Sequence, residues 1–165
     1  MTRENVMARE NVNSCSPRAA CVAVRIAFAV VFAINVQCAV SFVLWPESFA
    51  AAYELSGVAG NVAVQGLGVA FLMWNATYPA VIAQPSRFRP LAVVAVLQQA
   101  IGLVGESCIR AGLPAGHDML AASIERFVIF DAAGLALMAA AFAWLIVAER
   151  KGTVSLDMTT SPQRR

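Results

Sequence analysis

Charged residues divide this chain into four long uncharged stretches. They cover residues 26–46, 55–86, 90–105 and 132–148. A membrane-spanning helix needs about 20 mostly apolar residues, within a range of about 17–25. The first two stretches meet this length as they stand, whereas the third has to include Glu106 and the fourth has to include Asp131. The pattern therefore predicts four spanning helices, numbered one to four, at residues 20–44, 58–83, 89–111 and 122–148.

The prolines and the interfacial aromatic residues support these boundaries. Five prolines lie at or near predicted ends, where a missing N–H costs least: Pro46, Pro79, Pro85, Pro90 and Pro114. Tryptophan and tyrosine prefer the membrane–water interface, and all five lie close to span ends: Trp45, Tyr53, Trp74, Tyr78 and Trp144. Segments of alternating polarity, typical of β-barrels, are missing from the sequence. We expect an all-α integral membrane four-helix bundle, with a kink at Pro79.

The composition agrees with a bilayer environment. Hydrophobic residues make up 59% of the 165 residues and charged residues 13%, against about 45–50% and about 25% in soluble domains. A soluble domain of this size has too little interior to bury so much apolar surface. The net charge is only +2, and the basic residues lie at segment ends, which argues against nucleic acid as a partner.

The basic residues predict the orientation. Ten of the twelve Lys and Arg side chains fall in the N-terminal segment, the connection between spans two and three, and the C-terminal segment. Only Arg110 and Arg126 fall on the other side. Cytoplasmic segments carry the excess of Lys and Arg, so both termini are predicted to be cytoplasmic. The polar tails, 1–18 and 149–165, are expected to be disordered, which leaves 19–148 as the membrane domain.

An alternative for span one is a cleaved signal peptide. Residues 48–52 resemble a small-residue cleavage site. The apolar run before them is longer than the 7–15 residues of a signal-peptide core, which favours a retained span.

The four cysteines form no C-x-x-C pair, and His117 is the only histidine. A zinc or thiol redox centre needs close spacing and further ligands, so the sequence predicts no metal site. Cys38 and Cys108 both fall in the outer half of the predicted bundle, which leaves a disulfide between them open.

Ionisable residues cluster where spans three and four approach the outer face. Glu106 and Arg110 lie in the last turns of span three, and Glu125 and Arg126 lie in the predicted first turn of span four. Asp131 lies about two turns deeper. A charge at mid-bilayer costs about 2.5–3.5 kcal/mol on insertion scales, so such residues normally face a partner or a watery cavity.

The spacing predicts the partners of these groups. Glu106 and Arg110 are four residues apart, the favourable separation for a pair on one helix face. Arg126 and Asp131 are five apart and point to different neighbours, so Arg126 is expected to meet Glu106 or Glu54.

Amide side chains extend the polar surface inward. Gln99 continues the face of Glu106 on span three, and Gln65 belongs to a predicted polar stripe on span two with Asn61 and Asn75. The complete candidate cluster is Glu106, Arg110, Glu125, Arg126, Asp131, Gln65, Gln99 and Glu54. One interpretation is an outward-facing polar cavity for a cation, a proton or a small polar molecule. The other is a buried network that fixes helix register.

Several segments resemble the DoxX-like group of small four-helix bacterial membrane proteins. They are Arg25 entering span one, the Pro-containing exit at 44–49, the turn at 53–57 and a Gly-rich segment of span two at 65–68. The likeness covers most of residues 22–148. Some members of that group are described as membrane subunits of quinone-linked sulfur oxidation. The resemblance implies a bacterial inner membrane and a link to quinone or redox partners.

Three functional hypotheses follow. The sequence favours a non-enzymatic binding, transport or accessory subunit that acts through the candidate cluster, with no catalytic residue identified. The first alternative is an oxidoreductase subunit that docks a quinone between spans two and three, at Gln65, Gln99 and Glu106. The second is a structural partner of another membrane protein or of a second copy, assembled through small residues four apart on one helix face, such as Gly66 and Ala70.

Overall fold

The computed structural model describes residues 17–160, with side chains for 18–151. This part of the chain is helical, without strands. Its α-helices are α1 (Pro17–Leu44), α2 (Glu47–Ala50), α3 (Gly57–Trp74), α4 (Tyr78–Ala83), α5 (Arg89–Gly112) and α6 (Asp118–Thr160). Short 3-10 turns at Ala51–Tyr53 and Asn75–Thr77 follow α2 and α3.

Four helical segments are long and apolar enough to cross a membrane. They are Arg18–Leu44, Gly57–Ala83, Arg89–Gly112 and Asp118–Lys151. The all-α fold and the four predicted spans are therefore confirmed, and the chain has the architecture of a multi-pass membrane protein. The first three spans lie within two residues of their predicted bounds, since proline, glycine and charged residues mark both of their ends.

The fourth span differs from its prediction at both ends. Helix α6 begins at Asp118 and continues to Thr160, so residues 149–160 are helical where the sequence favoured a disordered tail. No proline interrupts the chain between Asp118 and Pro162, and the residue before a proline disfavours helical geometry. Because α6 starts early, Glu125 and Arg126 lie about two turns inside it and not in its first turn. Residues 1–16 and 161–165 of the predicted tails lie outside the described residues.

The second span is interrupted before Pro79. Pro79 has no N–H to donate to the Asn75 carbonyl, and the Tyr78 N–H bonds that carbonyl in a 3-10 turn instead. The Asn75 side chain donates its Nδ2 hydrogen to the Phe71 carbonyl at 2.7 Å. The irregularity expected at Pro79 thus extends back to Asn75 and leaves this buried asparagine, 3% exposed, between the helices.

Helix α1 is the centre of the packing. It contacts α3, α4 and α6, while α5 packs on α6 and α4. The bundle has a loop end, which holds the connections 45–56 and 113–117, and a termini end, which holds the connection 84–88 and the start of α1. The main core lies toward the termini end and includes Phe28, Tyr78, Met138 and Leu145. Apolar side chains also cover the outside, with Ile101 and Ile129 each 68% exposed, as lipid contact requires.

Two ion pairs join α5 to α6 near opposite ends of the bundle. Arg89 meets Glu149 at 2.6 Å, and Arg110 meets Glu125 at 2.8 Å. Residues 89 and 110 are separated by about 32 Å along α5, at 1.5 Å per residue. The hydrocarbon core of a bilayer is about 30 Å thick. The two pairs are therefore about as far apart as the two boundaries of the hydrocarbon layer.

Candidate functional site

Asp131 has its partner on the neighbouring helix. Gln99 of α5, 5% exposed, donates its Nε2 hydrogen to Asp131 Oδ1 of α6 at 2.7 Å. The sequence offered no partner for Asp131 on its own helix, and the structure supplies an amide from across the helix interface. A hydrogen bond to a carboxylate is stronger than one between neutral groups, so this contact fixes the carboxylate between α5 and α6.

Two glycines allow this close approach. A Cβ atom at Gly102, one turn after Gln99, would lie 2.5 Å from Asp131 Oδ2. A Cβ atom at Gly134, one turn after Asp131, would lie 3.1 Å from Gln99 Nε2. Each polar side chain therefore occupies space beside a glycine of the opposite helix. The repeated spacing, a polar residue followed three positions later by glycine, is the sequence signal that could have paired Gln99 with Asp131.

A second amide pair lies on the facing helices. Asn35 of α1 donates its Nδ2 hydrogen to Asn75 Oδ1 at 3.4 Å. Asn75 is held by its own bond to the Phe71 carbonyl. Span two thus presents this amide to α1 at the point where the helix becomes irregular.

These groups line a small cavity of about 60 Å³, here named the carboxylate–amide cavity. Its lining residues come from α1, α3, α5 and α6 and from the turn after α3: Asn35, Phe71, Trp74, Asn75, Gln99, Gly102, Glu106, Phe127, Phe130 and Asp131. One water occupies about 30 Å³ in the liquid. The cavity therefore has room for about two waters or one small ion.

Glu106 belongs to this cavity, and its predicted partner does not. Arg110 pairs with Glu125 of α6, through Nε at 2.9 Å and Nη2 at 2.8 Å. The expected Glu106–Arg110 pair is therefore wrong, because Arg110 finds a carboxylate at the membrane boundary. Among residues 18–151, Glu106 has no ion pair within 4.0 Å.

Arg126 and Glu54 do not meet. Glu54, in the connection after α2, contacts His117 Nδ1 at 2.5 Å, so the two connections at the loop end are joined to each other. In the described part of the chain, Arg126 lies within 4.0 Å of no carboxylate. The expected contacts of Arg126 with Glu106 or Glu54 are wrong, since Glu54 pairs with His117 and Glu106 lines the carboxylate–amide cavity, which Arg126 does not.

Gln65 lies apart from the cluster. It is exposed and donates its Nε2 hydrogen to the Val43 carbonyl at the end of α1, at 3.1 Å. Gln65 precedes Asn75 by ten residues, which rotates it by about 80° around the helix at 100° per residue. The predicted polar stripe on span two therefore drifts off the cavity, and of its amides only Asn75 reaches it.

A second, larger cavity of about 260 Å³ adjoins the first. It is lined by Ile34, Asn35, Cys38, Phe42, Phe49, Ala52, Tyr53, Ser123, Arg126, Phe127 and Phe130. Asn35, Phe127 and Phe130 line both cavities and form the wall between them. Burial raises the pKa of the Tyr53 phenol, which keeps its proton available for donation. Sequence reasoning missed this space because its residues come from α1, α6 and the short α2 region.

The cysteines in the described residues, Cys21, Cys38 and Cys108, are free thiols. The same part of the chain contains no group of three His, Cys, Asp or Glu side chains that could hold a metal ion. The polar lining of the carboxylate–amide cavity consists of two carboxylates, Asp131 and Glu106, and three amides, Asn35, Asn75 and Gln99.

No family model, curated protein or solved structure matches this chain. The resemblance to DoxX-like proteins remains a prediction, and the functional argument rests on the site itself.

Proposed function

We propose that this protein binds a proton or a small monovalent cation in the carboxylate–amide cavity, as a binding, transport or accessory subunit of a bacterial inner membrane. One observation carries the proposal. Asp131 and Glu106 line the same cavity of about 60 Å³, whose lining contains no basic side chain.

The chemistry of the lining suits a positive guest. Two carboxylates confined in one small space repel each other, and a proton or cation between them reduces that repulsion. Carboxylate and amide oxygens are the donors that hard cations prefer. Gln99 orients the Asp131 carboxylate, while the Glu106 carboxylate is able to bind the proton or cation.

The size of the cavity favours an ion over a quinone. Pockets for drug-sized ligands occupy about 300–1,000 Å³, several times the volume here. Of the three residues proposed as quinone contacts, Gln99 and Glu106 line the cavity and Gln65 bonds the end of α1 instead. The quinone hypothesis is therefore the weaker one at this place.

The depth of the carboxylates suits exchange with the outer solution. Asp131 lies about 9 Å past Glu125 along α6, and Glu106 lies about 6 Å from Arg110 along α5. Both are close to the loop end, which we propose lies outside the cytoplasm, as the distribution of Lys and Arg predicts. The proton or cation would enter past the connections 45–56 and 113–117.

Flux through liposomes tests the transport form of the proposal. The full chain is reconstituted with a pH indicator or a sodium indicator inside, and a potassium diffusion potential drives entry. We expect Asp131→Asn to reduce the flux at least tenfold and Glu106→Gln to reduce it less. The matched controls Asp118→Asn and Glu125→Gln, outside the cavity, should retain wild-type flux. Equal flux in Asp131→Asn, with normal elution on size exclusion, would rule out transport at this site.

Tryptophan fluorescence tests binding without transport. Trp74 lines the cavity, so its emission should change on titration with protons or sodium in a Trp45→Phe, Trp144→Phe background. The Asp131→Asn variant should remove this change. If neither flux nor Trp74 emission depends on Asp131, the carboxylates serve only to hold the helices together.

A further inference from the structure

The 260 Å³ cavity has its charged and hydroxyl side chains at the loop end, and its lining is otherwise mainly apolar. Tyr53, Ser123 and Arg126 lie at its loop end. Arg126 follows Glu125, which belongs to the boundary ion pair, so its backbone is level with the edge of the apolar layer. Phe130 is one turn further along α6, and Ile34 lies about 15 Å from the end of α1 at 1.5 Å per residue. A phospholipid likewise has its charge at the interface and apolar chains for the rest of its length.

The polar end of the cavity is built for an anion. Arg126 meets no carboxylate within 4.0 Å among the described residues. The Tyr53 and Ser123 hydroxyls interact with each other beside it. A guanidinium with neighbouring hydroxyl donors is suited to phosphate, because its planar fork donates two parallel hydrogen bonds.

The rest of the lining suits hydrocarbon. Four phenylalanines belong to it: Phe49 in the connection 45–56, Phe42 near the end of α1, and Phe127 and Phe130 on α6. A cavity with such a lining does not hold water well. Its volume, about 260 Å³, is slightly below the usual range for small-molecule pockets, which suits part of one acyl chain whose remainder stays in the bilayer.

We propose that this cavity seats one acyl chain of an anionic phospholipid, with the lipid phosphate bound at Arg126. The lipid is then a bound component of the bundle, distinct from the lipids that surround it. This site is separate from the carboxylate–amide cavity and does not depend on ion binding there.

Native mass spectrometry of delipidated full-length protein tests the proposal. Phosphatidylglycerol and phosphatidylcholine with identical chains are titrated in a maltoside detergent. The wild type should bind one phosphatidylglycerol at least tenfold more tightly than phosphatidylcholine. Arg126→Gln should reduce that preference to less than twofold. Arg110→Gln, a matched control whose arginine pairs with Glu125 at the same boundary, should keep it.

Substitutions that fill the cavity test whether the acyl chain of the lipid binds there. Cys38→Phe should weaken binding of both lipids at least fivefold, whereas Cys108→Phe, an exposed cysteine on α5, should not. Ala52→Phe supplies a second filling variant from a different wall, if Cys38→Phe does not fold. An excess of inorganic phosphate should fail to displace the lipid.

Three outcomes would overturn the proposal. The lipid preference could be the same in Arg126→Gln as in the wild type. The filling variants could bind lipid as tightly as the Cys108→Phe control. Inorganic phosphate could displace the bound lipid as effectively as phosphatidylglycerol does, which would mean that the acyl chain contributes nothing to binding.

Discussion

The two halves of the bundle both contain cavities, and they differ in the chemistry of the lining. Near the termini end, an open groove between α1 and α6 is lined only by Ala23, Ile26, Ala27, Leu137, Ala140, Ala141 and Trp144. Near the loop end, the cavities contain Asp131, Glu106 and Arg126. Of these three spaces, the two near the loop end contain ionisable groups and the groove near the termini end does not.

The halves also hold their helices together differently. Toward the termini end, large apolar side chains such as Phe28, Tyr78 and Met138 fill the interface. Toward the loop end, the Gln99–Asp131 hydrogen bond and the glycines beside it set the approach of α5 to α6. Lipid is as apolar as the interface, so packing and interhelical hydrogen bonds drive association within a membrane. Three matched pairs of substitutions and one single substitution test this contrast.

Truncation in the apolar half should have the largest effect. Met138 is fully buried, whereas its neighbour Leu137 is 46% exposed. We expect Met138→Ala to lower the free energy of unfolding by about 2–3 kcal/mol. This value is in the lower part of the range measured in the cores of soluble proteins. In lipid, truncation creates a cavity but loses little free energy of transfer from water, because the surroundings are already apolar. Denaturation by SDS in mixed micelles measures it, and Leu137→Ala is the control. Equal losses in both variants would contradict the packing assigned to this half.

A methyl group at the glycine contact should have the next largest effect. A Cβ atom at Gly102 meets Asp131 Oδ2, whereas a Cβ atom at Gly105 meets nothing within 4 Å. Gly102→Ala should cost about 1–2 kcal/mol by overpacking, and Gly105→Ala should gain up to about 1 kcal/mol from helix propensity. The same SDS titration compares them. A Gly102→Ala variant as stable as Gly105→Ala would show that α5 and α6 do not approach as described.

Removal of the interhelical amide should cost less. Gln99→Leu leaves Asp131 without its donor, and interhelical polar contacts in membranes contribute about 0.6 kcal/mol on average and at most about 1.7 kcal/mol. The adjacent Gln98 has a buried Oε1 with no hydrogen-bond partner among the described residues, so Gln98→Leu should be neutral or stabilising. Thermal unfolding in detergent separates the two. A larger loss of stability in Gln98→Leu than in Gln99→Leu would contradict the conclusion that Gln99 is the amide that joins the two helices.

The contact between the two loop-end connections should have the smallest effect. The His117 and Glu54 side chains are 44% and 33% exposed, and exposed ion pairs contribute about 0.2–1 kcal/mol. His117→Ala should leave the unfolding midpoint nearly unchanged and speed hydrogen exchange in residues 51–56 and 113–117. Unchanged exchange in these connections would mean that the contact does not hold them.

Much of the fold was predictable because lipid imposes simple rules. Uncharged length predicted four spans, and Pro79 predicted an irregularity in span two. The extent of α6 was harder to predict, because polar residues after an apolar span can continue a helix, as residues 149–160 do here. The partner of Arg110 was predicted wrongly, since an acid four residues away on one helix competed with Glu125 on another.

The sequence by itself determined that this is a four-span, all-α protein, and that Asp131 and Glu106 lie in its apolar layer. These properties depend on chain-local quantities, namely hydropathy, charge spacing and proline position. Only the tertiary structure decided that Gln99 holds Asp131, that Gln65 lies elsewhere and that Arg126 borders a separate cavity. Those contacts depend on the rotation and separation of neighbouring helices, which are set jointly by side chains far apart in the chain.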